Sequence, residues 1–200
     1  NNDKYDKFCE DNNNKQSNDR KIQKSTIYNT NSNEFNVLIF SVRDIVEATI
    51  PNFIELIGPC SFNRCNKLQN VKFLEDSKLH TIGEGAFHES SLKYISIPNN
   101  VTVISSAAFS QCNNLEVVDI PANSKLQKIE HFAFSNTGIN KINIPASLVH
   151  IEMNAFSLCE KLSKVDIPKN SQLQKIDYGV FQRAPITSLF FPSLLTNIEF

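Results

Sequence analysis

Several residue types are scarce in this 200-residue chain, and each scarcity argues against a class of protein. There is no Trp, one Met and only five Gly, which argues against glycine-rich phosphate-binding loops. The apolar runs are only a few residues long, so no segment is predicted to span a membrane. The formal net charge is −1, which argues against bulk attraction to nucleic acid or to an anionic membrane. This composition already speaks against an enzyme.

Targeting signals and catalytic motifs are scarce as well. No secretory signal is visible, and the chain opens with Asn1, so we expect a fragment or a mature product. The five cysteines include no C-x-x-C pair, and the four histidines occupy different places in the repeat described below. We therefore predict no metal site, no cofactor and no catalytic residue.

The first 33 residues differ in composition from the rest of the chain. Nine of them are Asn, and charges of both signs are interspersed among few apolar residues. Such a segment cannot bury enough apolar surface to offset the entropy of ordering it. We predict a largely disordered polar tail over residues 1–33 and a repeat domain over residues 34–200.

From Phe35 on, the sequence repeats. Phe recurs in steps that alternate between 22 and 25 residues, so that two units always sum to 47. An apolar residue lies five positions before each recurring Phe, and the residue just before it is usually small. The recurring residues are Phe40, Phe62, Phe87, Phe109, Phe134, Phe156 and Phe181. Self-similarity at such a period indicates a solenoid of stacked coils.

A segment of the pattern L-x-x-I-x-I follows each Phe by five or six residues. Its last two apolar residues alternate, which is the period of a strand with one buried face. Pro follows six of the seven copies and Leu74 takes its place once; Pro lacks a backbone donor and ends a strand. Each unit is too short to bury its apolar side alone, so the units must stack.

The predicted fold is an α/β-type repeat solenoid that is mostly β. We expect one parallel sheet of about seven strands, joined by short helical or irregular return segments. The recurring Phe residues should stack as a continuous buried ladder. Cys65, Cys112 and Cys159 are 47 residues apart, or about 10 Å by strand spacing, too far to form disulfides with one another, so we expect buried thiols.

The repeat unit I-x-x-x-A-F-x-x-C-x-x-L-x-x-I-x-I-P resembles the BspA-like leucine-rich repeats found in surface antigens of bacteria and parasitic protozoa. The segments 104–121 and 151–168 carry the match, and the resemblance covers residues 35–200. It implies an open leucine-rich-repeat solenoid that is displayed at the cell surface or secreted and adheres to host or matrix protein. The chain stops in the middle of a unit, because Ile198 already occupies the position five before a further Phe, so we expect a truncated last repeat.

Two functions therefore follow as hypotheses. One is a non-catalytic protein-recognition module of a surface antigen or adhesin. The other is a cytoplasmic leucine-rich-repeat scaffold for protein–protein interaction. It is consistent with cysteines that remain as thiols and with the absence of a visible secretory signal. Neither requires nucleic acid or membrane insertion.

The candidate binding face consists of the strand positions that should point outward. Tyr94 and Val117 form an exposed aromatic–aliphatic pair on adjacent coils, and such anchors with a polar rim suit protein recognition. The rest of the predicted face comprises Asp119, Lys141, Asn143, Lys164 and Asp166. Asn100, in the sequence Asn-Val-Thr, is a candidate glycosylation site in the loop after Pro98.

Overall fold

The computed structural model describes residues 37–38 and 43–199, which wind into a solenoid of parallel β-coils. Each pair of hydrogen-bonded strands in this part of the chain is parallel, as stacking of equivalent segments requires. The predicted tail, residues 1–33, and Phe40 lie outside the described residues. Within the described ranges we find no helix with the length and hydropathy of a membrane span.

From the second coil to the seventh, the longest sheet is formed by the apolar residue five positions before Phe together with its preceding neighbour, and Ile198 continues it. In the first coil the expected spacing is wrong, because Leu38, only two residues before Phe40, is in register with Ile57. The eight strands of this sheet have two residues each and follow one another in coil order. The Ile residues are in register from coil to coil, as Ile104 with Ile129. The strands are β1 (Val37–Leu38), β3 (Leu56–Ile57), β5 (Thr81–Ile82), β7 (Val103–Ile104), β9 (Lys128–Ile129), β11 (His150–Ile151), β13 (Lys175–Ile176) and β14 (Asn197–Ile198).

The L-x-x-I-x-I segments form two further sheets instead of the single sheet of about seven strands that we predicted. The strands of the four-stranded sheet are β2 (Glu47–Ile50), β4 (Asn70–Phe73), β6 (Tyr94–Ser96) and β8 (Val117–Asp119). The two-stranded sheet contains β10 (Lys141–Asn143) and β12 (Lys164–Asp166). The seventh segment, residues 186–191, forms no strand. Strands of three or four residues that end near Pro leave little length for continuous pairing.

The turns around each Ala-Phe pair contain no helix, so the predicted α/β class and helical return segments are wrong. Two positions in each turn are left-handed, one two residues before Phe and one two residues after it; around Phe109 these are Ala107 and Gln111, with φ of 53° and 60°. The N–H of Phe109 donates to the carbonyl oxygen of Ala133 in the next coil at 2.8 Å. A helix would need that donor within its own turn. The described residues accordingly form irregular turns and strands only.

The predicted Phe ladder is confirmed from Phe62 to Phe181. Neighbouring rings stack with centroids 4.8 to 5.2 Å apart as far as Phe156, close to the spacing of paired strands. The Ala residues that precede the rings are buried, which allows the backbones of adjacent turns to approach each other. The ladder lies between the sheets and forms the core together with the Ile and Leu side chains of the strands.

Candidate functional site

The predicted Tyr94–Val117 pair lies on the outer face of the four-stranded sheet. Tyr94 of β6 is in register with Val117 of β8, and the next residues, Ile95 and Val118, point into the core. The side chains alternate because successive residues of a strand face opposite sides of the sheet. Tyr94 is 43% exposed and Val117 is 47% exposed, so two apolar groups on adjacent coils lie together at the surface.

Asp119 lies two residues further along β8, on the same outer face. It is in register with Ser96, whose Oγ donates to Asp119 Oδ2 at 3.0 Å. This hydrogen bond crosses between adjacent coils and places a carboxylate beside the apolar pair. The polar rim that the sequence analysis predicted next to Tyr94 and Val117 therefore includes Asp119.

The remaining predicted residues form a separate charged group on the two-stranded sheet. Lys141 is in register with Lys164, and Asn143 with Asp166. Asp166 Oδ2 lies 2.8 Å from Lys141 Nζ and 3.2 Å from Lys164 Nζ, so one carboxylate joins two lysines of adjacent coils. The hydrogen bond from Lys141, and a second from Lys164, hold the pKa of Asp166 below its ordinary value.

The face that we predicted as one surface is thus composed of two groups. The first is the apolar pair with Asp119, and the second comprises Lys141, Asn143, Lys164 and Asp166. Strand β8 packs against β10, but the two belong to different sheets. The two groups therefore lie on consecutive coils of the solenoid.

Asn100 lies in the loop after Pro98 and is half-buried. Its Nδ2, the atom to which a glycan would be attached, donates to the carbonyl oxygen of Ser77 at 2.8 Å. Its Oδ1 accepts a hydrogen bond from Lys125 Nζ at 2.8 Å. Glycosylation of Asn100 stays a prediction, and it would replace the bond to Ser77.

Sequence reasoning missed a ladder of ion pairs beside the eight-stranded sheet. Lys128, His150 and Lys175 are in register on consecutive coils, and acidic residues follow one position after the adjacent Ile. Lys128 Nζ lies 2.6 Å from Glu152 Oε1 and 3.3 Å from Glu130 Oε1. The hydrogen bond to Glu152 raises the pKa of Lys128 above its ordinary value.

The same ladder continues toward the C-terminal coils. His131 Nδ1 lies 2.6 Å from Glu152 Oε2, and His150 Nε2 lies 3.0 Å from Asp177 Oδ2. Lys175 Nζ lies 2.7 Å from Asp177 Oδ1. Aligning the units on their Ile residues could have revealed these charges as columns. Three of the pairs connect neighbouring coils, which is a structural role: Lys128–Glu152, His131–Glu152 and His150–Asp177.

The cysteines of the repeat are core residues. Cys65, Cys112 and Cys159 are buried and carry thiols. Cys112 Sγ lies 3.3 Å from Ser90 Oγ and donates to the carbonyl oxygen of Phe87, and burial raises the pKa of its thiol to about 12. Cys60, in contrast, is disulfide-bonded. Among the described residues, no group of three His, Cys, Asp or Glu side chains is placed to hold a metal ion.

Comparison with known proteins agrees with this architecture. A family model described as the BspA type leucine rich repeat region, in six copies, matches residues 33–125 and 80–200. No curated protein matches the chain.

The solved structures that are similar to the chain include the following two proteins. One is a leucine-rich repeat protein from Eubacterium ventriosum, 25% identical with a TM-score of 0.71, covering 82% of this chain and 44% of that protein. The other is the pneumococcal vaccine antigen PcpA, 28% identical with a TM-score of 0.61, covering 66% of this chain and 32% of the antigen. The chain therefore spans less than half the length of either relative.

The family match covers residues 33–200. The repeated units and the parallel coils with their Phe ladder agree with that match. The chain belongs to the BspA-type leucine-rich repeat family.

Proposed function

We propose that this chain is a non-catalytic protein-recognition module of a cell-surface protein, and that it binds its partner through the outer face of the strands. The observation that carries the proposal is the in-register pair of Tyr94 and Val117, both exposed on adjacent coils. Tyr is favoured at interfaces because it combines a large apolar ring with a polar tip. Solenoids of this kind use their extended faces for binding.

The charges around the pair indicate the chemistry of the partner. Asp119 lies beside Val117, while Lys141 and Lys164 share the single carboxylate of Asp166 on the following coils. A partner would place an apolar side chain over Tyr94 and Val117, a cationic group near Asp119, and an acidic group near the two lysines. Charges at the rim of an interface act mainly on the association rate and on specificity.

Two observations support display outside the cell. PcpA, to which the chain is similar, is a pneumococcal vaccine antigen. Cys60 is disulfide-bonded, and disulfides persist mainly in oxidising compartments. We propose a host surface or matrix protein as the partner.

The proposal can be tested by capture from host-cell and matrix extracts on immobilised chain. We expect the wild-type chain to retain a specific protein, and the double variant Tyr94→Ala with Val117→Ala to lose at least about tenfold in affinity, because truncation removes both anchors of the contact. The affinity should be measured with the purified captured protein by surface plasmon resonance.

A matched control is the double variant Tyr178→Ala with Val46→Ala. Tyr178 is 50% exposed and Val46 is 48% exposed, so the same side-chain types are removed at similar exposure from two separate places. We expect this variant to bind as the wild type does. Equal affinity of all three proteins for every captured ligand would rule out the proposed face.

The alternative, an intracellular scaffold with the same fold, draws on the three buried thiols, which need no oxidising compartment. Antibody labelling of intact and permeabilised cells that express the full-length protein separates the two. Labelling of intact cells supports surface display, and labelling only after permeabilisation supports the scaffold.

A further inference from the structure

A groove opens in the four-stranded sheet between β4 and β6. Strands β2 and β4 pair over four residues and β6 and β8 over three, but β4 and β6 pair only at Asn70 and Tyr94. Beyond that point the sheet opens into a cavity of about 660 Å³ that is bounded by the strands and by the loops that follow them. This volume lies in the range of small-molecule sites in proteins.

Leu74, which follows the end of β4, lines this opening. At the corresponding position six of the seven units have Pro, which has no N–H. Leu74 instead donates its N–H to the carbonyl oxygen of Ile50 at 3.1 Å. This bond continues the pairing of β4 with the preceding coil, on the side away from β6.

The groove is lined by an aromatic ring and several amides. The ring of Tyr94 is exposed at one wall, and Phe73 is half-buried nearby. The amides belong to Asn70, Asn99, Asn100 and Asn123. An amide offers adjacent donors and an acceptor, which matches hydroxyl groups that donate and accept at once.

One wall of the groove is held in place by its own hydrogen bonds. Asn100 bridges the carbonyl oxygen of Ser77 and Lys125 Nζ, at 2.8 Å in each case, and thereby connects the loops of three coils. Groups that are ordered before binding lose less entropy when a ligand arrives.

Several ligand classes fit this lining poorly. The ionisable groups at the groove are Lys72, Lys125 and Asp76, which leaves too little positive charge for a nucleic acid. An extended peptide adds to an open sheet edge, but the strand residues of β4 and β6 that are not paired with each other are only 71–73 and 95–96, which is a short edge for a peptide strand. A bound helix would require an apolar groove rather than one rich in amides.

We propose that this groove binds a short neutral oligosaccharide of about two or three sugar units. The C–H face of one sugar ring stacks on Tyr94, and its hydroxyl groups exchange hydrogen bonds with the amides of Asn123 and Asn70. The proposed protein contact shares Tyr94 with the groove but differs from it elsewhere, because Val117 does not line the groove and Asn123 does not belong to the predicted protein-binding face.

The test is a titration of the whole 200-residue chain, followed by NMR chemical shifts. The probes are chitotriose, maltotriose and cellotriose, three neutral trisaccharides, at concentrations up to about 20 mM. We expect saturable binding of at least one trisaccharide with a Kd between about 0.05 and 5 mM, and shifts at the residues of the groove. Tyr94→Ala should raise that Kd at least about tenfold and Asn123→Ala at least about threefold.

Val117→Ala is the control, since this residue adjoins Tyr94 on the sheet but lies outside the groove. It should leave the Kd for the trisaccharide within about twofold of the wild type while weakening protein capture, and Asn123→Ala should do the reverse. Circular dichroism melting curves check that each variant is folded. An unstructured peptide is added as a fourth probe for comparison. The inference is overturned if none of the three trisaccharides binds, if Tyr94→Ala leaves the Kd unchanged, or if the peptide shifts the NMR signals of the groove residues and no trisaccharide does.

Discussion

The ring of Phe109 lies parallel to the ring of Phe134 in the next coil, with the centroids 5.1 Å apart and the planes 4° from parallel. The two residues are 25 positions apart in sequence, which is one coil of the solenoid. At the C-terminal end the stacking loosens: Phe156 and Phe181 are 5.8 Å apart and 18° from parallel, and Phe181 is only half-buried. The ladder is therefore tightest at its N-terminal end, where Phe62 and Phe87 are 4.8 Å apart, and loosest at its C-terminal end.

Replacing Phe109 with Ala should destabilise the solenoid by about 3–5 kcal/mol, because it leaves a cavity between two stacked rings. Phe181→Ala is the matched control, and we expect a cost of about 1–2 kcal/mol, since that ring has one stacked neighbour and is partly exposed. Urea unfolding followed by circular dichroism measures both. A loss below about 1 kcal/mol for Phe109→Ala would contradict the buried ladder.

Two adjacent alanines should respond in opposite ways to replacement by Gly. Ala107 has a φ of 53°. Ala108, the next residue, is buried and does not have a positive φ. Gly relieves a left-handed position, so Ala107→Gly should stabilise the chain by up to about 1 kcal/mol or leave its stability unchanged. Ala108→Gly should cost about 1 kcal/mol.

Gly85 and Gly179 already occupy the position of Ala107 in other coils, with φ of 59° and 67°. The two variants should be compared by thermal unfolding under identical conditions. If Ala107→Gly were the more destabilising of the two, the left-handed turn around Phe109 would be wrong.

The stabilisation from Asp177 should disappear in acid. Partial burial disfavours its charged form, but hydrogen bonds from Lys175 and His150 outweigh this effect and lower the pKa of Asp177. A lowered carboxyl pKa stabilises the fold above the unfolded value of about 3.9, and this contribution is lost as the pH falls through the folded pKa. Asp177→Asn should therefore cost about 1–2 kcal/mol at neutral pH and little at about pH 2.

Urea unfolding of the wild type and of Asp177→Asn at several pH values measures this difference. Glu160→Gln is a suitable control, because Glu160 is exposed and forms no ion pair with another described residue. Its effect should stay small at neutral pH. A difference between wild type and Asp177→Asn that persists unchanged at about pH 2 would show that the carboxylate charge is not involved.

The thiols of Cys112 and Cys159 should resist alkylation in the folded chain. Burial raises the pKa of both, to about 12 for Cys112, and the thiolate is the reactive form. We expect iodoacetamide at about pH 8 to label both residues at least about a hundredfold more slowly in the native chain than in urea. Peptide mass spectrometry reads out the labelling, and rapid reaction of native Cys112 would contradict its place in the core.

Much of the fold could be predicted from periodicity. The alternating steps of 22 and 25 residues required coils in register, and the ring stacking from Phe62 to Phe181 follows from that register. The outward positions of Tyr94, Val117, Asp119, Lys141 and Lys164 followed from the two-residue alternation of a strand. A repeated apolar pattern has few alternative ways to bury itself, which explains why these inferences were reliable.

The backbone between the apolar positions could not be predicted in the same way. The segment around Ala-Phe has no period of its own, so helical and irregular return paths fitted the pattern equally well. The left-handed positions at Ala107 and Gln111 arise because the donors of that turn bond to the next coil. The eight-stranded sheet at the Ile positions depends on the same contacts between coils.

The sequence alone was therefore enough to predict the stacking register and the side of each strand that faces solvent. Both follow from the spacing of the apolar side chains. Contacts between coils decided the division into three sheets, the ion pairs Lys128–Glu152 and His150–Asp177, and the groove beside Tyr94. Each of these depends on how backbone donors and charged groups of neighbouring coils meet. A periodic sequence places the coils side by side, but it does not specify which of those groups will bond.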